Sequence, residues 1–160
     1  MISYMEQLSY DAPPLPRPLQ DRLGAALTWA AENAREMADR ALVPLGLTVR
    51  HFGVMTFLRR ENEADGAVTS QQAIGERLRI DRTTMVALID DLERAGYVKR
   101  DRNPDDRRAY VLTLTATGRR AQARAEKAID SDARHFFGRL SERERQQLHR
   151  LLRRLNGEGK

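Results

Sequence analysis

Two short polar clusters carry the side chains best suited to chemistry, Asp105-Asp106-Arg107-Arg108 and, earlier in the chain, Arg82-Thr83-Thr84. A guanidinium is a planar fork of N–H donors that stays charged, a hydroxyl donates and accepts, and a carboxylate beside an arginine orients it. None of these groups is an activated nucleophile or a matched acid–base pair. What they offer is recognition of an anionic or hydrogen-bonding surface.

Bond-making chemistry has little to stand on. His51, His135 and His149 are scattered, with no i, i+4 pair and no H-E-x-x-H spacing that would set two ligands on one helical face. There is no dinucleotide-binding glycine fingerprint, no Walker loop and no G-x-S-x-G. Asp90 and Asp91 are adjacent, so on a helix they diverge by about 100° and do not converge on one substrate. The expectation is a protein that is not an enzyme and that takes no cofactor or metal. With no cysteine in the chain, disulfides, thiolate metal sites and thiol redox sensing are excluded.

The elements that must position the two clusters can be read around them. Asp81 has the chemistry of a helix cap, and Met85, Leu88, Ile89 and Leu92 then recur at three and four residues, with Arg82, Thr83, Thr84 and Ala87 off that stripe. Gly96 supplies the left-handed residue that ends this helix, predicted over Asp81 to Ala95. Tyr97 to Arg100 and Ala109 to Leu114 switch to β-rich composition, and a turn-forming Asn-Pro-Asp-Asp lies between them. Upstream, Thr69 with Gln72 reads as a capping box, and Ala73, Ile74 and Leu78 give one apolar face. Two short helices meeting at a tight turn have the size of a helix-turn-helix, with the second member as the recognition helix.

Helix pair followed by hairpin is the order of a winged DNA reader. A helix fits the major groove, and an arginine on a protruding loop enters the narrower, more negative minor groove. On charge alone the Arg/Asp-rich segment reads first as a solvated turn rich in surface ion pairs. Its place after a capped helix and between two strands favours the reader. Arg82 or Thr84 is then the base contact, through an arginine fork on guanine or a threonine on a thymine methyl, and Thr83 is the phosphate contact.

These residues resemble the MarR group of bacterial winged-helix regulators, named for multiple antibiotic resistance. Asp105 to Arg108 matches that family's D-x-R-R wing motif, and Leu114-Thr115 with Gly118 matches its L-T-x-x-G junction. Asp81 to Thr84, Leu92-Glu93 and Gly96-Tyr97-Val98 look like its recognition helix and the exit into the wing. The resemblance runs from about Leu19 to Leu155, with its specific motifs between Thr69 and Gly118. It implies a homodimer, repressor in preference to activator, on a pseudo-palindromic operator of double-stranded DNA, released by a small aromatic or acidic ligand. It makes Arg107 the arginine that enters the minor groove and Asp105 the carboxylate that holds it, with Arg108 in a wing-base ion pair or on a phosphate. Thr69, Ser70 and Gln71 belong to the same DNA-binding face. It sets an effector pocket among Trp29, Arg50, His51 and Met55, with Phe136 nearby; the competing reading is that Trp29 and Met55 are core and Arg50 is solvated.

The rest of the 160 residues reads as long helices, giving a mainly α fold with a small β wing. Residues 1–18 hold four of the six prolines and form an N-terminal arm, disordered or wrapping. Leu19, Leu23, Leu27, Ala30, Ala34, Met37 and Ala41 step along one helix up to Pro44. Thr48 caps a shorter helix through Val49, Phe52, Met55 and Leu58, which ends at a polar loop from Glu61 to Gly66. Ala121, Ala125, Ala128, Ile129, Ala133 and Phe136 form another stripe. Ser141 with Glu144 is a second capping box, opening a helix whose face is Leu148, Leu151, Leu152 and Leu155. The predicted division is residues 46–116 as the DNA-binding domain, with 19–45 and 117–157 as dimerisation helices, whose stripes otherwise serve as intramolecular core.

Charge is sorted more than it is in excess. The net +5 divides into −2 over residues 1–75, +1 over 76–108 and +6 over 109–160, so the surplus lies outside the reader. No apolar run approaches the roughly 18 residues of a membrane span, and the expected location is cytoplasmic. The alternative function is a helical scaffold or protein-interaction module without DNA binding.

Overall fold

The computed structural model describes residues 11–63, 70–102 and 110–158. Six helices and one hairpin follow in order: α1 (Leu23–Leu42), α2 (Val49–Glu63), α3 (Gln71–Leu78), α4 (Arg82–Arg94), β1 (Val98–Arg102), β2 (Tyr110–Leu114), α5 (Ala116–Phe136) and α6 (Glu142–Leu155). The fold is mainly α with a two-stranded antiparallel wing. No single helix among the described residues is long and apolar enough to cross a membrane. The chain divides into two compact units, one of residues 41–128 and the other of residues 1–40 with 129–160.

In the unit of residues 41–128, α2 packs against α3, α4 and β2, and α4 packs against α3 and β1. The apolar stripe of α4 faces this core, with Met85, Ile89 and Leu92 essentially inaccessible. Burying each such side chain contributes about 1.5–3 kcal/mol. On α2, Met55 and Leu58 are fully buried, and so is Val54, which lies off the three-residue step. Contact with helices and with the wing requires a wider apolar arc than one stripe. The expected loop at Glu61 is instead helical, since α2 runs on to Glu63.

The hairpin pairs Val98 with Leu114 and Arg102 with Tyr110. Along β2, Leu112 and Leu114 point into the core while Tyr110 is exposed, so the alternation seen in sequence holds for the inner pair. The first strand starts at Val98 and reaches Arg102, two residues beyond its expected end.

Gly96, at φ +72, ends α4 in the left-handed region, and Tyr97 N donates back to Leu92 O at 2.8 Å. The Thr115 hydroxyl then joins this exit to the start of α5. It donates to Gly96 O at 2.8 Å and accepts from Gly118 N at 2.9 Å. Deeper in α5 the fully buried Gln122 accepts from Arg59 at 2.8 Å and donates to Thr56 at 3.3 Å, which fastens α5 to α2 through polar side chains.

In the other unit, the segment before α1 is held by its backbone. Pro13 O accepts from Trp29 Nε1 at 2.9 Å and from Asn33 Nδ2 at 3.3 Å, and Arg139 pairs with Asp11 at 2.6 Å. Ala12 is buried, so residues 11–15 wrap and do not trail free. The Ser141–Glu144 capping box forms as the sequence predicts.

Candidate nucleic-acid interface

The helix pair α3–α4 is built by caps. Ser70 is the N-cap of α3, its hydroxyl accepting from Ala73 N at 3.2 Å. The expected cap at Thr69 thus falls one residue later, on its sequence neighbour Ser70, and no box forms because alanine at position 73 has no side chain to reciprocate. Gln72 turns along the helix to Glu76 at 2.9 Å. Thr69 itself lies outside the described residues. Gln71 opens α3 and is half-buried. The turn between the helices is made without glycine at its left-handed position. Arg79 takes φ 52, and Ile80 N donates to Gly75 O at 2.8 Å, which brings the backbones so close that a Cβ on Gly75 would lie 3.1 Å from Ile80 O.

Asp81 caps α4 as predicted, one carboxylate oxygen accepting from Thr84 N at 2.9 Å and the other from the Thr84 hydroxyl at 2.6 Å. Those two bonds, the hydroxyl's first, hold the Asp81 carboxyl below the usual carboxylate range. They also commit the Thr84 hydroxyl hydrogen, leaving that oxygen only its lone pairs for a ligand. Arg82 and Thr83 are exposed at the helix start, and Val86 and Ala87 are exposed one turn on. Val86 escaped the sequence reading because an apolar residue beside an apolar stripe reads as core. Together with Ser70, Gln71, Arg79 and Tyr110, Arg82 and Val86 line a hollow of about 880 Å³.

The wing is braced against α4 by a residue the sequence did not single out. Arg100 on β1 pairs with Asp90 and with Glu93, the latter at 2.9 Å, and its side chain is only 24% exposed. Asp91 pairs with Arg94 at 2.7 Å. Asp90 and Glu93 thus tie the far end of α4 to the hairpin, whereas the Asp91 pair stays within the helix. Asp105, Arg107 and Arg108, the wing-tip residues, lie outside the described residues.

The four effector-pocket residues fall in both units. Trp29 holds Pro13 through its indole N–H, Met55 is completely buried in the unit of residues 41–128, and Arg50 is exposed. His51 is the unusual one. Its Nδ1 accepts from Thr48 N at 3.2 Å and meets the Thr48 hydroxyl at 2.9 Å, which puts the ring hydrogen on Nε2. That atom is buried without a hydrogen-bond partner among the described residues, 3.7 Å from Asp91, an ion-pair distance but too long for a hydrogen bond. Burial lowers the His51 pKa, and Asp91 opposes the shift only in part. A histidine with its folded pKa below the unfolded value of about 6.5 stabilises the fold fully above that pH and loses the contribution as pH falls through the folded pKa. Denaturant titrations between pH 8 and 5 are expected to show stability declining below about pH 6.5, with a shallower decline in His51→Gln.

Residues 45–109 match the sequence pattern of the MarR family. A protein of Thauera aromatica assigned as the transcriptional regulator of the hcr operon is 34% identical over 121 residues, covering 76% of this chain and 70% of the relative. Among solved structures, the transcriptional repressor CouR bound to a 23-mer DNA duplex superposes with a TM-score of 0.78 at 30% identity, over 90% of this chain and 99% of that one. CouR from Rhodococcus jostii RHA1 bound to p-coumaroyl-CoA gives a TM-score of 0.72 at 26% identity, over 88% and 95%.

Proposed function

This chain belongs to the MarR family of transcriptional regulators, and we propose that it works as a cytoplasmic homodimeric repressor that grips a near-palindromic operator and is released by a small aromatic or acidic ligand. The observation that carries the DNA contact is α4: a capped helix whose first turn presents Arg82 and Thr83 to solvent, beside a wing fastened at a fixed angle by Arg100. In this reading Arg82 contacts bases, Thr83 contacts phosphate, Thr84 contributes lone pairs, and Thr69, Ser70 and Gln71 meet the backbone at the start of α3. Arg107, oriented by Asp105, enters the minor groove, and Arg108 adds an ion pair or a phosphate contact.

Support for a dimer comes from the leucines of the terminal helices. Leu23 is 85% exposed and Leu155 68%, with Leu19, Leu27 and Leu151 also open to water. Apolar side chains in such number call for a partner surface, and a second copy presents the same stripes. Residues 46–116 then read the DNA, while 19–45 and 117–157 dimerise. Two recognition helices about one duplex turn apart, roughly 34 Å, require an operator with two-fold symmetry. The duplex and the aromatic acyl-CoA carried by CouR support both kinds of partner.

Selection of bound duplexes from a random pool, followed by gel-shift titration at several salt concentrations, tests this. Binding is expected to fall steeply with salt, and Arg107→Ala to weaken it on the order of tenfold without loss of thermal stability. A flat salt response would favour a helical scaffold, and wild-type affinity in Arg107→Ala would remove that residue from the interface. Displacement of bound duplex by a panel of aromatic acids and their thioesters tests the sensor.

A further inference from the structure

We infer that Val86 is a specificity determinant that selects a thymine methyl in each half-site, an inference that rests on the proposed docking of α4 in the major groove. Every other large apolar residue of α4 is buried: Met85, Leu88, Ile89 and Leu92 are at most 7% exposed. Val86 is 40% exposed. It follows Arg82 by four residues and Thr83 by three, so the three share the outward face. It lines the same hollow as Arg82, Ser70 and Gln71.

Packing among the described residues leaves 40% of Val86 in water and so accounts for it only in part. At an exposed helical position a β-branched side chain is less favourable than alanine, and its methyls stay in contact with water. A major groove supplies the reason. Among the groups that unmodified base edges display there, the thymine C5 methyl is the one apolar group larger than a ring C–H. The Arg82 fork and the Thr84 lone pairs beside it are suited to hydrogen-bonding groups, whereas an isopropyl group gains by covering a methyl. Tyr110, 52% exposed at the outer end of β2, lines the same hollow and gives it a second apolar group.

The test replaces each thymine of the selected operator in turn by deoxyuridine, which deletes the methyl and leaves every hydrogen-bonding group in place. Wild-type protein should lose about fourfold in affinity at one thymine per half-site, and about fifteenfold when both symmetric thymines are replaced. Val86→Ala, which keeps the helix, should bind the unmodified operator that much more weakly and show no further loss with deoxyuridine at those sites. If both proteins bind the operator yet respond alike to every deoxyuridine, Val86 does not read a methyl and the inference falls while DNA binding stands. If neither protein binds any duplex, the inference falls together with the reading on which it rests.

Discussion

Replacing Gly118 by alanine is expected to destabilise the protein by about 3 kcal/mol or more, although helix propensity alone points the other way. Gly118 lies inside α5, where alanine is preferred to glycine by about 1 kcal/mol. A Cβ at this position, however, would lie 2.1 Å from Tyr97 O, 2.9 Å from Tyr97 C and 2.8 Å from Leu114 Cδ1. The first two are backbone atoms, and no rotamer change relieves them. Tyr97 is held there by its own bonds, to Leu92 O through its N–H and from Thr115 N through its carbonyl at 2.9 Å. Room for a methyl must therefore come from prying α5 away from the turn between α4 and the wing, and overpacking of this kind outweighs the propensity gain. A fall in melting temperature of about 10 °C is expected in a thermal scan. Gly53→Ala is the control, because among the described residues nothing beyond its own helix backbone and chain neighbours lies within 4 Å of the added methyl and α2 gains propensity, so its melting temperature should rise. A rise in Gly118→Ala as well would show that the close approach does not exist in solution.

The same junction shows what a sequence reveals about its own fold. Leu114, Thr115 and Gly118 were recognisable as a motif, but the reason for the glycine is the Tyr97 backbone passing over it, a contact from another element. The features of α4 were legible because they are local: Asp81 caps, the apolar residues recur with the helical period, and Gly96 stops the helix. At α3 the reading slipped by one residue, because Thr69 and Ser70 are chemically equivalent caps and only the register of the turn separates them. Gln122 was invisible. A glutamine on an alanine stripe suggests a surface position, and its partners Arg59 and Thr56 lie more than sixty residues away in sequence. Arg100 was passed over although its partners lie only seven and ten residues back, because its role depends on a strand turning back along the acidic end of α4. Val86 was hidden by its neighbours, since exposure of one apolar residue beside a buried stripe depends on the angle at which the helix packs.

The largest effect on DNA binding is expected from Arg82→Ala. Arg82 is the first residue of α4, exposed, and set immediately after the Asp81 cap, so its position is fixed by a helix start that does not depend on its own side chain. The substitution should leave thermal stability within about 0.5 kcal/mol, as for exposed residues with no structural duty. An arginine that forks onto guanine O6 and N7 contributes about 1–3 kcal/mol of discrimination, and in a two-fold complex the loss occurs twice, about 2–6 kcal/mol in all. Affinity for the selected operator should therefore fall by roughly 30-fold to 2 × 10⁴-fold. The loss should be confined to operators with the preferred base, because a mutant without the fork accepts any base there. Wild-type protein on an operator with 7-deazaguanine at that position, which lacks only the N7 acceptor, should lose part of the same affinity, while Arg82→Ala should be indifferent to the change. A phosphate contact predicts the opposite signature: equal weakening on all sequences, no response to 7-deazaguanine, and a salt dependence shallower by about one counterion per half-site. That second pattern would move base reading away from Arg82 and onto the lone pairs of Thr84 and the methyls of Val86.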